Sequence, residues 1–257
     1  MTYSTDDLDH RRGDYGVDEP RWLLLNASVG VACLAGAVVA WRRSGRWAGW
    51  ALLPGLGAIS FLGSAASYLY TTRAGKFAVW SELLRDLGLT GGETVLDMGC
   101  GRGAVLLMAA RLLAAGRAIG IDLWRTGEQS GNSIDVTRRN AELEGVADRV
   151  VLRTGDMSAM PFADASVDVV LSSLAIHNIA DAGRRMGAVD EAVRVLKPGG
   201  RMVIADLGYV VDGYAGRLLA IGMHDVRVRD LGWRFWYGGP WVATRVVTAR
   251  KPTAGGG

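Results

Sequence analysis

Asp97, Gly99, Gly101 and Gly103 fall together in VLDMGCGRG (residues 95–103), where an apolar strand runs into a glycine turn beside one carboxylate. Glycine alone takes positive φ without a Cβ clash, so such a turn lays bare backbone against a ligand. A helix starting near Arg102 aims its free N–H groups at the same place. That is the chemistry of holding a nucleotide-like cofactor. A second acid, Asp122, closes AIGIDLW (118–124) at the downstream distance that suits ribose hydroxyls. Asp156 and Met157 end RVVLRTGDM (149–157), while Ser172 and His177 lie in VDVVLSSLAIHN (167–178). Asp206 ends RMVIAD (201–206), which LKPGG (196–200) precedes. The glycines and Asp122 alone would also satisfy the dinucleotide pattern of a nicotinamide-dependent oxidoreductase.

The full series of strand-end acids, with LKPGG before the fifth strand, resembles the class I S-adenosylmethionine-dependent methyltransferases over roughly residues 74–250. The resemblance implies an α/β fold: a seven-stranded Rossmann-like methyltransferase sheet with helices on both faces. It implies S-adenosyl-L-methionine as cofactor, with Asp97, Gly99, Gly101 and Gly103 facing its methionine part and Asp122 its ribose. Asp156 and Met157 would lie beside the adenine, Leu123 or Trp124 would pack on its ring, and Ser172 is counted in the same set.

The elements needed to position these groups can be read from periodicity. Phe77, Trp80, Leu83, Leu84 and Leu87 put one apolar face on a helix over 74–88. Met186, Val189, Val193 and Leu196 do so over 181–196, with Gly199 as a stop. An amphipathic stretch at 211–221 precedes two alternating strands at 225–231 and 241–249, which suggest a closing antiparallel hairpin. Family topology makes the sixth strand parallel to the first five, so GWRFWYGGPW (232–241) emerges at the carboxyl edge, where open α/β sheets bind ligands. This segment either plugs its own core or walls an apolar acceptor with Trp233, Phe235, Trp236 and Tyr237, Arg234 pairing an acidic head group.

Methyl transfer from a sulfonium is an in-line displacement, so the enzyme's main task is alignment. A base serves only an acceptor that must lose a proton, and His177 and Asp206 are the candidates. SSLA stands after strand four in place of the NPPY typical of many amino and base methyltransferases, which points to carbon or oxygen as the acceptor atom. The strand ends offer neither a Ser–His–Asp triad nor a metal cluster, and this disfavours hydrolysis.

The chain of 257 residues carries a net charge of +3, with no run of basic residues interleaved with aromatics to suggest a nucleic-acid partner. Two cysteines, Cys33 and Cys100, make neither a disulfide framework nor a zinc site. Residues 1–20 are polar and acidic and are expected to form a disordered arm, as is the tail at 253–257. Residues 21–71 are expected to form a two-helix membrane anchor before a methyltransferase domain at 72–252. Its segments 22–41 and 47–70 hold no charged residue, each is about long enough to span a bilayer, and tryptophans and tyrosines mark their ends. A signal peptide, buried helices of a soluble protein and helices lying in the membrane surface are the alternatives. A hairpin puts arm and domain on one side, taken as the cytoplasm because the cofactor is made there. Arg42, Arg43 and Arg46 then face out, against the positive-inside preference, while Arg11, Arg12, Arg21, Arg73, Lys76 and Arg85 flank the other side.

These features imply a membrane-anchored methyltransferase acting on a small or lipid-like acceptor that enters from the bilayer. Removal of residues 1–71 is expected to leave cofactor affinity unchanged. A non-catalytic S-adenosylmethionine-binding or scaffold protein and a nicotinamide-dependent oxidoreductase are the rivals.

Overall fold

Short runs of Val, Ile and Leu form the strands, because a parallel strand covered on both faces needs apolar residues at nearly every position. The computed structural model describes residues 8, 10–44 and 48–253. Its strands are β1 (Thr94–Met98), β2 (Arg117–Asp122), β3 (Val150–Thr154), β4 (Val167–Ser173), β5 (Leu196–Leu207), β6 (His224–Asp230) and β7 (Thr244–Arg250). They make one sheet of order β3-β2-β1-β4-β5-β7-β6. β1 to β5 pair in parallel, and β7 runs antiparallel to both β5 and β6. The sixth strand is therefore parallel to the first five, and the connection after it emerges at their carboxyl edge.

The helices are α1 (Pro20–Ser44), α2 (Leu52–Tyr70), α3 (Lys76–Leu87), α4 (Ala104–Leu112), α5 (Ile134–Leu143), α6 (Ala182–Val195) and α7 (Gly208–Ala220). α3 buries Phe77, Trp80, Leu83 and Leu84 against one sheet face, as its periodicity requires. α6 stops at Val195 and LKPGG already belongs to β5, short of the expected helix end. Pro198 explains this, since it lacks an N–H and pushes Lys197 toward extended backbone. α5 follows Ser133, whose side chain caps the Val136 N–H.

α1 and α2 form a hairpin standing off the sheet. Two helical stretches, Pro20–Arg43 and Gly49–Leu87, are long and apolar enough to cross a membrane. Only 6% and 17% of their most apolar windows are buried within this chain. Leu24, Val31, Leu34, Leu53, Leu56 and Ile59 are all exposed. α2 ends at Tyr70, and a π-helical stretch, Thr71–Gly75, carries the helical backbone on into α3. The neighbouring loop accounts for that stretch: Thr71 Oγ1 donates to the Trp236 carbonyl at 2.6 Å. A Cβ on Gly75 would lie 1.8 Å from the Arg234 carbonyl oxygen.

The arm expected to be disordered is packed over residues 10–19. The Glu144 carboxylate accepts from the Arg12 and Gly13 N–H groups, both at 2.9 Å, and from the Tyr15 hydroxyl at 2.7 Å. Arg111 pairs with Glu144 from behind. Asn140 accepts from the Asp14 N–H and donates to the Asp14 carbonyl. The arm has little apolar bulk of its own, and buried polar side chains on α4, on α5 and just after it satisfy its backbone instead. Arg46, Trp47 and the tail from 254 lie outside the described residues.

Candidate functional site

The carboxyl ends of β1 to β4, the β6–β7 connection, the arm and the feet of the hairpin enclose one cavity of about 720 Å³. Asp97, Gly99, Gly101, Asp122, Leu123, Asp156 and Met157 line one end, as the sequence suggested. Asp97 is 1% exposed, and its Oδ1 has no hydrogen-bond partner among the described residues. Burial pushes its pKa up to about 7, a backbone N–H at Leu106 offsetting part of the rise and the Asp122 carboxylate adding to it. A buried carboxylate with an idle oxygen suits a cationic ligand, and S-adenosylmethionine carries an ammonium group.

The glycine turn fits the same ligand. Gly99 and Gly101 sit at φ of +72° and +49°, and a Cβ on Gly99 would meet Ala175 at 2.2 Å. Asp122 is held rigidly by the Gly101 N–H (2.8 Å), the Trp124 N–H (2.5 Å) and Asn132 Nδ2 (3.2 Å). Asp156 bonds to Ser158 and pairs with Arg184 at 2.5 Å; the Ser158 bonds in particular hold its carboxyl below the usual range.

Three residues expected in the cofactor set do not line the cavity. Gly103 at φ +87° starts α4, where a Cβ would meet Leu107 and Thr137 at 3.1 Å. Trp124 turns away, its indole N–H donating to Thr154 Oγ1 at 2.8 Å. Ser172 is buried, donating to the Met98 carbonyl at 2.9 Å, and its neighbour Ser173 faces the cavity instead.

His177 lines the cavity next to this cradle. Its Nδ1 lies 2.5 Å from Asp206 Oδ1, and its backbone N–H donates to Asp206 Oδ2 at 3.1 Å. Asp206 is buried behind the ring and accepts further bonds from the Leu207 N–H and the Tyr214 hydroxyl. Asp206 is thus no second base at the acceptor. It fixes the imidazole and leaves Nε2 as the ring nitrogen uncommitted within the described chain.

The aromatic segment divides between its two readings. Phe235 is fully buried and plugs the core, whereas Trp233 is exposed and stacks on Tyr70 with ring centroids 5.3 Å apart. Arg234 is held by both Glu82 oxygens, at 2.7 and 2.9 Å, so it is not free for an acidic head group. Trp236 serves through its carbonyl, and only Tyr237 of the five expected residues reaches the cavity.

Sequence reasoning missed the wall formed by Asp18, Trp22, Asn26, Tyr68, Lys76 and Gln129. Asp18 is its junction: it accepts from Lys76 Nζ at 2.9 Å, the Tyr237 hydroxyl at 2.8 Å and Gln129 Nε2 at 2.9 Å. A visible signal was Asn26, the one amide in the uncharged run 22–41.

Residues 96–204 match the methyltransferase domain family. The ubiquinone/menaquinone biosynthesis C-methyltransferase UbiE of Roseobacter denitrificans is 33% identical over 129 residues, 50% of this chain and 48% of that protein. The chain spans about half the length of the curated relatives it matches. Among solved structures, the [4+2]-cyclase SpnF aligns with a TM-score of 0.58 at 20% identity, covering 71% of this chain and 84% of the other. A SAM-dependent methyltransferase from Aquifex aeolicus aligns with a TM-score of 0.53 at 20% identity, covering 66% and 88%. The fold is the Rossmann-like methyltransferase fold, and residues 96–204 carry the methyltransferase-domain match, for which S-adenosylmethionine is the fitting cofactor.

Proposed function

We propose that this chain transfers a methyl group from S-adenosylmethionine to oxygen or carbon of a small or lipid-like acceptor at a membrane surface. The observation that carries this reading is the His177–Asp206 pair, 2.5 Å apart, beside the glycine cradle in a cavity that also reaches the membrane hairpin. When bound, the cofactor supplies an electrophilic methyl group. Asp97 holds its ammonium end, Gly99 and Gly101 let backbone approach it, and Asp122 takes the ribose hydroxyls. Leu123, Asp156 and Met157 border the adenine. His177 Nε2 accepts the proton that an acceptor hydroxyl loses as its oxygen, or the ring carbon it activates, takes the methyl group. Asp206 keeps Nδ1 protonated and stabilises the imidazolium that forms.

The hairpin supplies the address. Tyr68 donates to the Asp18 carbonyl, and the Asp18 carboxylate accepts from Lys76 and Tyr237, which supports arm and domain sharing one side of the bilayer. That side is the cytoplasm, where the cofactor is made, and Arg42 and Arg43 face the other. The carbon-methylating relative of ubiquinone and menaquinone synthesis supports a lipid-like acceptor.

The test is to incubate full-length protein in its native membranes with methyl-labelled S-adenosylmethionine and separate organic, aqueous and protein fractions. Label in the organic or aqueous small-molecule fraction, reduced at least tenfold by His177→Ala, is expected, in line with the loss of a general base. Label confined to protein, or cofactor binding with no transfer, would sink the proposal.

A further inference from the structure

Beyond the cofactor end, the cavity continues between the feet of α1 and α2 and the β6–β7 connection, where Trp22, Asn26, Ser64, Tyr68, Tyr237 and Trp241 line it. Of these, Tyr237 and Trp241 belong to the aromatic segment 232–241 that the sequence singled out. Asn26 and Ser64 are the informative pair. A polar side chain inside a membrane-crossing segment is costly unless it faces a polar cavity or a partner. Asn26 lies within the first apolar helix, its Nδ2 donating to the Trp22 carbonyl at 2.8 Å. Ser64 is buried in the second, with Gly238 against it so closely that a Cβ there would lie 2.6 Å from its Oγ. Both border the same cavity as His177.

The charges restrict what this extension can hold. The residues lining the whole cavity include six carboxylates, Asp18 and Glu19 at the hairpin feet and Asp97, Asp122, Glu128 and Asp156 nearer the glycine turn, against the cations Lys76 and Arg125 and the imidazole of His177. Lys76 is committed to both Asp18 oxygens, and Arg125 pairs with Glu128. An anionic head group would therefore meet net negative charge and no cation left unpaired among the described lining residues. Bringing it out of water there would carry a desolvation cost that nothing offsets. Aromatic walls with a few fixed polar groups suit an uncharged amphiphile instead.

We infer that the channel between the hairpin feet is the acceptor's tail site, and that the acceptor is an uncharged hydroxyl-bearing amphiphile entering sideways from the bilayer. Its hydroxylated head lies against His177, and its apolar tail passes Asn26 and Ser64 between Trp22 and Trp241. Fatty acids and anionic phospholipids are excluded from this site. The inference rests on the methyl-transfer reading for the role of the head, but tail binding can be measured without transfer.

The test uses full-length protein in phosphatidylcholine nanodiscs, loaded with S-adenosylhomocysteine so that no methyl group can move. Radiolabelled 4-nonylphenol is titrated, with empty nanodiscs subtracted and palmitate as competitor. Saturable nonylphenol binding is expected, lost at least tenfold in Asn26→Trp, which fills the channel, and unaffected by excess palmitate. Ser64→Val is the second variant, used where thermal unfolding shows that Asn26→Trp has not folded. Absence of saturable binding, equal competition by palmitate, or wild-type binding in a folded channel variant would each overturn the inference. Saturable binding that depends on Asn26, in a protein that never methylates any acceptor, would instead leave the tail site standing and remove the methyl-transfer reading.

Discussion

Cofactor affinity should depend on pH through Asp97. The carboxyl is buried with a pKa of about 7, so near neutrality half of the unliganded protein carries a neutral acid at that position. A bound ammonium group prefers the carboxylate, and binding must therefore release the proton from whichever molecules still hold it. As pH falls through 7 the carboxyl is neutralised and affinity falls; above 7 it levels off. With the bound-state pKa well below 6, apparent Kd scales as one plus the ratio of protonated to ionised carboxyl. That gives about an elevenfold weakening at pH 6 and almost none at pH 8, a difference of about 1.4 kcal/mol for the tenfold change. Calorimetric titration of S-adenosylhomocysteine, which keeps the ammonium group, in two buffers of different ionisation enthalpy should report release of about half a proton at pH 7. Asp97→Asn should flatten the profile and weaken binding at pH 8, whereas His177→Ala should keep the slope. An affinity constant from pH 6 to 8 with no proton release would show that Asp97 does not meet the cationic end of the cofactor.

Three further outcomes follow from the packing around the site. Asp18→Ala should strand the buried Lys76 ammonium at a cost of about 3–5 kcal/mol; unfolding in detergent should show Asp18→Ala/Lys76→Met recovering most of that loss. Gly75→Ala should force the Arg234 backbone away from the π-helical stretch, lowering stability by about 1–3 kcal/mol as overpacking does, measured in the same way. Tyr15→Phe removes one donor to the Glu144 carboxylate, a hydrogen bond worth about 1.5–3 kcal/mol. The arm should then open more often and trypsin should cut faster after Arg11 and Arg12, which timed digestion would show.

The sheet and the carboxylates that line the cavity were legible because their signals are local. A parallel strand must be apolar along its length, and the acids that line the cavity lie within two residues of a strand's carboxyl end, as at Asp97, Asp122 and Asp156. The errors fall where a one-residue step or a distant partner decides. Ser172 and Ser173 are neighbours on β4, yet successive side chains point to opposite faces, so one ties β4 to β1 and the other borders the cavity. Phe235 and Tyr237 divide core and cavity between them, which their shared aromatic character does not reveal. Arg234 looked available because Glu82, its partner, lies 152 residues away in the chain. The arm looked disordered because hydropathy measures its own side chains, whereas Glu144, Asn140 and Arg102 hold its backbone from far along the sequence.

The same long-range contacts change what the apolar hairpin means for the site. Asp18 and Glu19 precede Pro20, the first residue of α1, and both line the cavity. Gln129 donates to Asp18 while accepting from the Arg102 N–H in the turn that follows the glycines. α2 passes without a break into α3, whose Lys76 holds Asp18 from the other side. The hairpin and the glycine turn are therefore joined at one half-buried carboxylate, and removing residues 1–71 deletes part of the cavity wall along with both apolar helices. The expectation that such a truncation leaves cofactor affinity unchanged does not suit this architecture. Substitutions at the far end of the hairpin, such as Leu53→Ser, are the ones that can weaken membrane residence while leaving the site whole. They should leave the affinity for S-adenosylhomocysteine in detergent unchanged, whereas Asp18→Ala should not.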